Sequence, residues 1–120
     1  MAEKSKVLVI DDEETITRIL YKMLNKDYEV HVANDGKTAL NLVQTDVFDA
    51  IVVDLVMPEM DGHEVISRVS KVDPDIPFIV ITGYSTEDNA IEALKEGAFD
   101  YLKKPLNRDR SEERFSRNAE

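Results

Sequence analysis

The sequence contains no cysteine among its 120 residues. This absence excludes disulfide bonds, thiolate metal sites and thiol nucleophiles, and it is typical of proteins that work in a reducing compartment. No apolar run approaches the roughly 18 residues that a membrane-spanning helix needs. Residues 1–6 form a short polar start and do not resemble a secretion signal. From these absences we expect a cytoplasmic protein that does not enter a membrane.

Positive charge is scarce as well. The chain carries 25 Asp and Glu against 15 Lys and Arg, which gives a formal net charge of −10. The imbalance lies within residues 1–107, because residues 108–120 hold equal numbers of acidic and basic side chains. A surface of this sign repels nucleic-acid phosphates and anionic lipids. The sequence therefore predicts no direct partner among nucleic acids or membranes.

The domain organisation is simple, since internal repeats and low-complexity tracts are both missing. A chain of this length can bury roughly two-thirds of the surface that its unfolded form exposes, which is enough for one core. We predict a single domain over residues 1–107. Residues 108–120 offer few apolar side chains, so we predict a poor fifth helix or a linker there.

Short apolar segments predict the strands. Three runs rich in β-branched residues are typical of strands covered on both faces, namely Val7–Ile10, Ala50–Val53 and Phe78–Ile81. Residues Glu29–Ala33 alternate between apolar and polar side chains, which predicts an edge strand. A fifth short strand fits Asp100–Lys103.

Helical periodicity fills the intervals between the strands. The clearest apolar stripe repeats every three to four residues and consists of Ile16, Ile19, Leu20, Met23 and Leu24. Shorter stripes occur at 39–43, 65–69 and 90–94, and Thr86 and Gly97 are suitable caps for the last of these helices. Strict alternation of strands and helices predicts an α/β fold, with a doubly wound parallel sheet between two layers of helices.

Polar residues of unusual type follow the carboxyl ends of the predicted strands. They are Asp11 and Asp12 after the first strand, Asp54 at the end of the third, Thr82 at the end of the fourth and Lys104 after the fifth. In a parallel sheet these positions share one edge, where ligands of open α/β folds bind. If the strand order is 2-1-3-4-5, the first and third strands are neighbours and the three aspartates converge.

A bound cation would resolve the repulsion within such a cluster, since two like charges 4 Å apart cost about 4 kcal/mol at an effective dielectric near 20. Carboxylate oxygens next to a phosphoryl group suit Mg²⁺, and Mn²⁺ is expected to substitute. We predict that Asp54 is an oxygen nucleophile for phosphoryl transfer, while Thr82 and Lys104 contact the phosphoryl group. The product would be an acyl phosphate that water can later remove.

Four motifs together resemble the receiver family of two-component response regulators over about residues 5–107. They are VLVIDDEE at 7–14, VVDLVMPEMDG at 52–62, ITG at 81–83 and FDYLKKP at 99–105. The resemblance implies a flavodoxin-like (βα)5 fold with sheet order 2-1-3-4-5. It also implies that Asp12, Asp54 and the backbone carbonyl of Val56 coordinate the metal directly, with Asp11 acting through water.

The resemblance further implies how the domain signals. A histidine kinase or phosphotransfer protein would donate the phosphoryl group, and Thr82 and Tyr101 would form a switch that shifts a pre-existing equilibrium. An output domain or a target protein would read the change. Homodimers would form through the face of the fourth helix and fifth strand. The domain would not be an enzyme in the ordinary sense, because it would catalyse only its own phosphotransfer and dephosphorylation.

Three other functions compete with the signalling hypothesis. An FMN-binding protein could share the fold, but it needs a hydroxyl- and glycine-rich loop after the first strand, where this chain has DDEE. A phosphatase with an aspartate nucleophile needs a second aspartate at the position of Val56. A receiver-like module that signals without phosphate is disfavoured because the acceptor-site residues are all present. Asp11 and Asp12 alone could also be simple helix N-terminal acids.

Overall fold

The computed structural model describes residues 4–55, 57, 60, 62–82, 95 and 97–103, and of residues 82, 101 and 103 it describes the backbone. Within these residues, five strands form one sheet and three helices connect its first four strands. None of the described helices has the length and apolar character that a bilayer crossing requires. The predicted fourth helix and residues 108–120 lie outside the described residues.

The sheet is parallel throughout, in the order β2-β1-β3-β4-β5. Its strands are β1 (Ser5–Ile10), β2 (Tyr28–Ala33), β3 (Ala50–Asp54), β4 (Phe78–Thr82) and β5 (Asp100–Lys103). The predicted fold class and strand order are therefore confirmed. The strand order reverses between β1 and β3, so the crevice expected of a doubly wound sheet lies at their carboxyl ends.

Successive residues of the central strands face opposite sides of the sheet, as strand geometry requires. On one side, Leu8, Ile51 and Val80 belong to the larger cluster of buried residues. On the other side, Val9, Val52 and Ile79 belong to the second cluster. The continuous apolar runs of the sequence thus reflect strands that have a core on both faces.

The three described helices are α1 (Glu14–Leu24), α2 (Gly36–Thr45) and α3 (Gly62–Val72). Helix α1 contributes Ile16, Leu20, Met23 and Leu24 to the second cluster. Helices α2 and α3 contribute Ala39, Val43, Val65, Ile66 and Val69 to the first cluster. Since α1 covers one face and α2 with α3 covers the other, the predicted three-layer arrangement is confirmed.

The structure corrects details of the sequence prediction. Strand β1 begins at Ser5 and β2 at Tyr28, earlier than apolar patterning indicates, because pairing between these strands already starts at Ser5 and Tyr28. In α1, Ile19 lies at the edge of the apolar stripe with 36% of its surface exposed, whereas Thr17 is buried. The Thr17 hydroxyl donates a hydrogen bond to the carbonyl oxygen of Glu14 at 3.0 Å, which satisfies its polarity inside the core.

Candidate functional site

The candidate site begins where β1 and β3 end side by side. Ile10 pairs with Val53 in the parallel register. The residue after Ile10 and the residue after Val53 are both aspartates, so Asp11 and Asp54 are brought to the same point of the sheet edge. Asp12 follows in the loop that leads to α1.

The three carboxylates come together, as the strand order predicts. One oxygen of each of Asp11, Asp12 and Asp54 lies within 4.8 Å of the others. Asp11 is fully buried, only 2% of the surface of Asp54 is exposed, and Asp12 is exposed. The site is therefore a pair of buried carboxylates with a third at its mouth.

Electrostatics make such an arrangement costly without a counterion. Two ionised carboxylates at this separation repel by on the order of 3 kcal/mol at an effective dielectric near 20. Three hard oxygen donors with one side open to solvent fit a small dication that also keeps water or phosphoryl oxygens as ligands. The donor set thus fits the Mg²⁺ predicted from the sequence, with Asp11, Asp12 and Asp54 as the side chains that would hold it.

Backbone hydrogen bonds fix the loop between β1 and α1. The backbone N–H of Asp11 donates to the carbonyl of Ala33 at 3.2 Å, which extends the pairing of β1 with β2 by one residue. The backbone N–H of Glu13 donates to Oδ1 of Asp11 at 2.9 Å, and the side-chain amide of Asn34 donates to the Asp11 carbonyl at 3.0 Å. The sequence interpretation did not single out Asn34, because the contact joins segments 23 residues apart.

A close approach of α3 fixes the backbone after β3. The N–H of Leu55 donates to the carbonyl of Ile81 at 3.2 Å, and the N–H of Gly62 donates to the carbonyl of Leu55 at 3.0 Å. A Cβ at position 62 would overlap the carbonyl oxygen of Asp54 and lie 2.7 Å from Cα of Leu55. Only glycine allows this approach, so the absence of a side chain at position 62 lets α3 lie against the backbone at the end of β3.

The structure describes two of the remaining predicted site residues, Thr82 and Tyr101, by their backbone. Thr82 ends β4 at the same sheet edge, one position beyond Ile81, which pairs with Asp54. Tyr101 lies within β5, where its backbone pairs with Val80. Val56 and Lys104 lie outside the described residues.

Another group of charged residues surrounds Lys6 in β1, which precedes the buried run of that strand. The Lys6 ammonium lies 2.9 Å from a carboxylate oxygen of Asp46 and 3.8 Å from one of Glu29. The hydrogen bond from Lys6 lowers the pKa of Asp46, and a hydrogen bond with His31 lowers the pKa of Glu29. His31 also packs edge-on against Phe48, with ring centroids 5.4 Å apart, so it is a half-buried structural residue.

Known proteins provide an independent comparison. The model of the response regulator receiver domain family matches residues 7–116. Among curated relatives, the transcriptional regulatory protein ZraR of Klebsiella oxytoca is 43% identical over 109 residues, which are 90% of this chain and 25% of ZraR. The chain spans about a quarter of the length of ZraR from Klebsiella oxytoca, Escherichia coli and Salmonella typhimurium.

Solved structures agree with the sequence comparison. The receiver domain of the Francisella response regulator 1452 is 36% identical, with a TM-score of 0.85 and 97% of each chain covered. A response regulator receiver domain protein from Clostridium thermocellum is 33% identical, with a TM-score of 0.84, and the match covers 96% of this chain and 94% of that one.

Proposed function

The chain belongs to the response regulator receiver domain family of two-component systems, and from that premise we propose that Asp54 is its phosphoryl acceptor. The observation that carries the proposal is the meeting of Asp11, Asp12 and Asp54 within 4.8 Å at the point where β1 and β3 end. Asp54 is the member of this group that ends a buried strand and pairs with Ile81 of β4, and the next residue, Leu55, accepts a hydrogen bond from the N–H of Gly62 in α3.

The proposed reaction is the transfer of a phosphoryl group from a phosphohistidine of a histidine kinase or phosphotransfer protein. A carboxylate oxygen of Asp54 attacks phosphorus, and a P–O bond forms as the P–N bond breaks. The electron pair of the broken bond stays on the imidazole. Later attack of water on phosphorus releases inorganic phosphate and restores the carboxylate of Asp54.

The other residues of the site have supporting roles in this proposal. Asp12, Asp54 and the backbone carbonyl of Val56 would hold Mg²⁺ directly, Asp11 would act through water, and Mn²⁺ would be able to replace Mg²⁺. A bound dication would offset the charge of the carboxylates and of the incoming phosphoryl oxygens. Thr82 and Lys104 would contact the phosphoryl group; Thr82 ends β4, and Lys104 follows the last residue of β5 in the sequence.

We extend the proposal from the site to its partners. Thr82 and Tyr101 act as the switch that transmits phosphorylation to an output domain or target protein. The domain acts as a signalling phosphoacceptor rather than as an enzyme with an external substrate. Cytoplasmic location and homodimers through the face of the fourth helix and β5 stay predictions.

Neither of the two competing functions, FMN binding and phosphatase activity, is favoured. The segment after β1 is DDEE, whose charge would repel an FMN phosphate, and no aspartate stands at position 56 to serve a phosphatase mechanism. The family match over residues 7–116 points to signalling instead.

Acetyl phosphate provides a direct test of the proposal. We expect the purified protein to gain the mass of one phosphoryl group when it is incubated with acetyl phosphate and MgCl₂, and to gain none in EDTA. Asp54→Asn should abolish the adduct. Asp27→Asn, which changes an exposed carboxylate outside the site, should leave it intact. An adduct that forms equally well without a divalent cation, or on Asp54→Asn, would contradict the proposal.

A further inference from the structure

The exposed aspartate of the site, Asp12, lies between two peptide groups that are both held by hydrogen bonds. The peptide group that joins Asp12 to Glu13 donates its N–H to Oδ1 of Asp11 at 2.9 Å. The peptide group that joins Asp11 to Asp12 accepts, at its carbonyl oxygen, a hydrogen bond from the amide of Asn34 at 3.0 Å. Because peptide groups are planar, these two contacts limit the directions in which the side chain of Asp12 can leave the backbone.

Asn34 is itself firmly placed. The preceding residue, Ala33, is buried and pairs with Ile10 of β1. The following residue, Asp35, is the N-cap of α2, and its carboxylate accepts a hydrogen bond from the backbone N–H of Thr38 at 2.7 Å. The backbone of Asn34 is therefore fixed on both sides, and its side chain reaches the Asp11 carbonyl from a rigid corner.

The contact depends on the chemistry of an amide. A carbonyl oxygen accepts hydrogen bonds, so its partner must carry an N–H or O–H. A carboxylate at position 34 would present only acceptor oxygens to the Asp11 carbonyl. Asn34 is exposed, so its side chain adds little to the core, and it is uncharged, so its removal leaves the charge of the acidic site unchanged.

We propose that Asn34 is a positioning residue for the acidic site, because its amide orients the peptide group before Asp12 and so aims the Asp12 carboxylate at the dication. The inference rests on the proposed function, since it takes the three carboxylates to bind that cation. It adds a residue on the corner between β2 and α2 that does not itself contact the ion. The hydrogen bond from Asn34 to the Asp11 carbonyl thereby helps to set the affinity of the site for the metal.

Magnesium titration of the metal-free protein, followed by ¹H–¹⁵N NMR, tests this role. We expect Asn34→Ala to weaken Mg²⁺ binding by about three- to tenfold, the range typical of one lost neutral hydrogen bond. Asn41→Ala is the matched control, because Asn41 is exposed on α2. Its backbone carbonyl accepts a hydrogen bond from the Thr45 hydroxyl at 3.3 Å, and the substitution keeps that carbonyl. The control should bind Mg²⁺ as the wild type does.

A second measurement distinguishes positioning from a general loss of stability. In EDTA, ¹⁵N relaxation should report larger fast motion of the Asp12 and Glu13 amides in Asn34→Ala, while the amides of α3 stay unchanged. If Asn34→Ala folds poorly, Asn34→Ser serves as a second variant. Its hydroxyl ends one bond short of the position of the Asn34 amide nitrogen, so Asn34→Ser should also weaken Mg²⁺ binding and increase the motion of the Asp12 and Glu13 amides.

The possible results separate the inference from the function beneath it. If wild type binds Mg²⁺ and Asn34→Ala binds it equally well, the positioning role is overturned while the proposed function stands. If the wild type shows no magnesium-dependent shifts, both are overturned. Weaker Mg²⁺ binding together with increased motion confined to Asp12 and Glu13 supports the inference.

Discussion

The side chains of Asp11 and Asp54 occupy positions that folding alone disfavours. Both are almost completely buried, and their carboxylate oxygens lie within 4.8 Å of each other. Removing an ionised carboxylate from water costs several kcal/mol, and a nearby like charge adds to that cost. Proteins keep such groups where function requires them, so the stability of this fold should improve when the repulsion is removed.

Asp54→Asn tests whether repulsion between the buried carboxylates lowers the stability of the fold. In EDTA we expect the substitution to raise the free energy of unfolding by about 1–3 kcal/mol, because a neutral amide replaces one of two buried like charges. Urea unfolding at neutral pH provides the measurement, with Asp27→Asn as the exposed control. MgCl₂ should then stabilise the wild type more than the variant, since a ligand of the folded state raises stability by mass action. A variant less stable than the wild type in EDTA would show that repulsion is not the dominant effect.

Gly62 and Gly97 offer a matched pair of glycine substitutions. A Cβ at position 62 would overlap the backbone of Asp54, whereas one at position 97 would meet no atom within 4 Å. Gly97 has a φ of 104°, so alanine there should cost about 1–2 kcal/mol from backbone strain alone. A positive φ is the conformation that a glycine adopts when it follows the end of a helix.

From this difference we predict that Gly62→Ala displaces the acceptor and Gly97→Ala does not. Gly62→Ala should destabilise the protein by about 2 kcal/mol or more, as overpacking does, and should slow phosphorylation by acetyl phosphate. Gly97→Ala should leave the phosphorylation rate near that of the wild type. The pair of rates, measured by intact mass over time, would contradict the assignment if both variants reacted alike.

Among the three described helices, α2 has the clearest N-terminal cap. The Asp35 carboxylate accepts a hydrogen bond from the N–H of Thr38, and this contact lowers the pKa of Asp35 below its ordinary value of 3.8. A carboxyl group whose pKa is lowered by folding stabilises the protein fully above its ordinary pKa. That contribution is lost as the pH falls through the lower pKa of the folded state.

Replacement of the cap should therefore have a pH-dependent effect. Asp35→Ala should lower the free energy of unfolding by about 1 kcal/mol near neutral pH. The difference from the wild type should shrink below pH 3.8, where the carboxyl begins to protonate in the unfolded chain. Asp35→Asn retains a capping oxygen, so near neutral pH it should lose less stability than Asp35→Ala. The difference between these two variants should not change with pH, because neither titrates at position 35. Thermal or urea unfolding between pH 2.5 and pH 7 would reveal a constant difference for Asp35→Ala if the cap were unimportant.

The strands and their order were predictable from the sequence for a physical reason. Strands buried on both faces need continuous apolar runs, and the three such runs became β1, β3 and β4. Strand ends were less predictable, because β1 and β2 extend through Ser5 and Tyr28 by backbone pairing, which needs no apolar side chain. Periodicity likewise assigned Ile19 to the buried face of α1, although the width of that face depends on how the helix sits against the sheet.

The site was predictable only as far as strand ends determine it. Asp11, Asp12 and Asp54 stand directly at the ends of neighbouring strands, so strand order alone brings them together. Asn34 and Gly62 act through contacts with the backbone of distant segments, at the Asp11 carbonyl and beside Asp54. No local pattern encodes such contacts, although a glycine three residues before the apolar stripe that starts at Val65 is a sequence signal for a close backbone approach at Gly62.

Two groups of acidic side chains, one near each end of β1, have different environments. Near the beginning of β1, Lys6 pairs with Asp46 and Glu29, so negative charge there stabilises the fold through exposed ion pairs. Where β1 and β3 end, three carboxylates share one small space. Part of the net charge of −10 is therefore concentrated at the carboxyl edge of the sheet, where it would favour a dication.

Chemical mapping of the phosphorylated residue tests the central claim most directly. Borohydride reduces an aspartyl phosphate to homoserine, so the acceptor can be identified by peptide mass spectrometry after reaction of the wild type with acetyl phosphate. The account predicts homoserine at position 54 in samples that contain MgCl₂ and none in samples that contain EDTA. Homoserine at another aspartate, or at position 54 regardless of the metal, would contradict it.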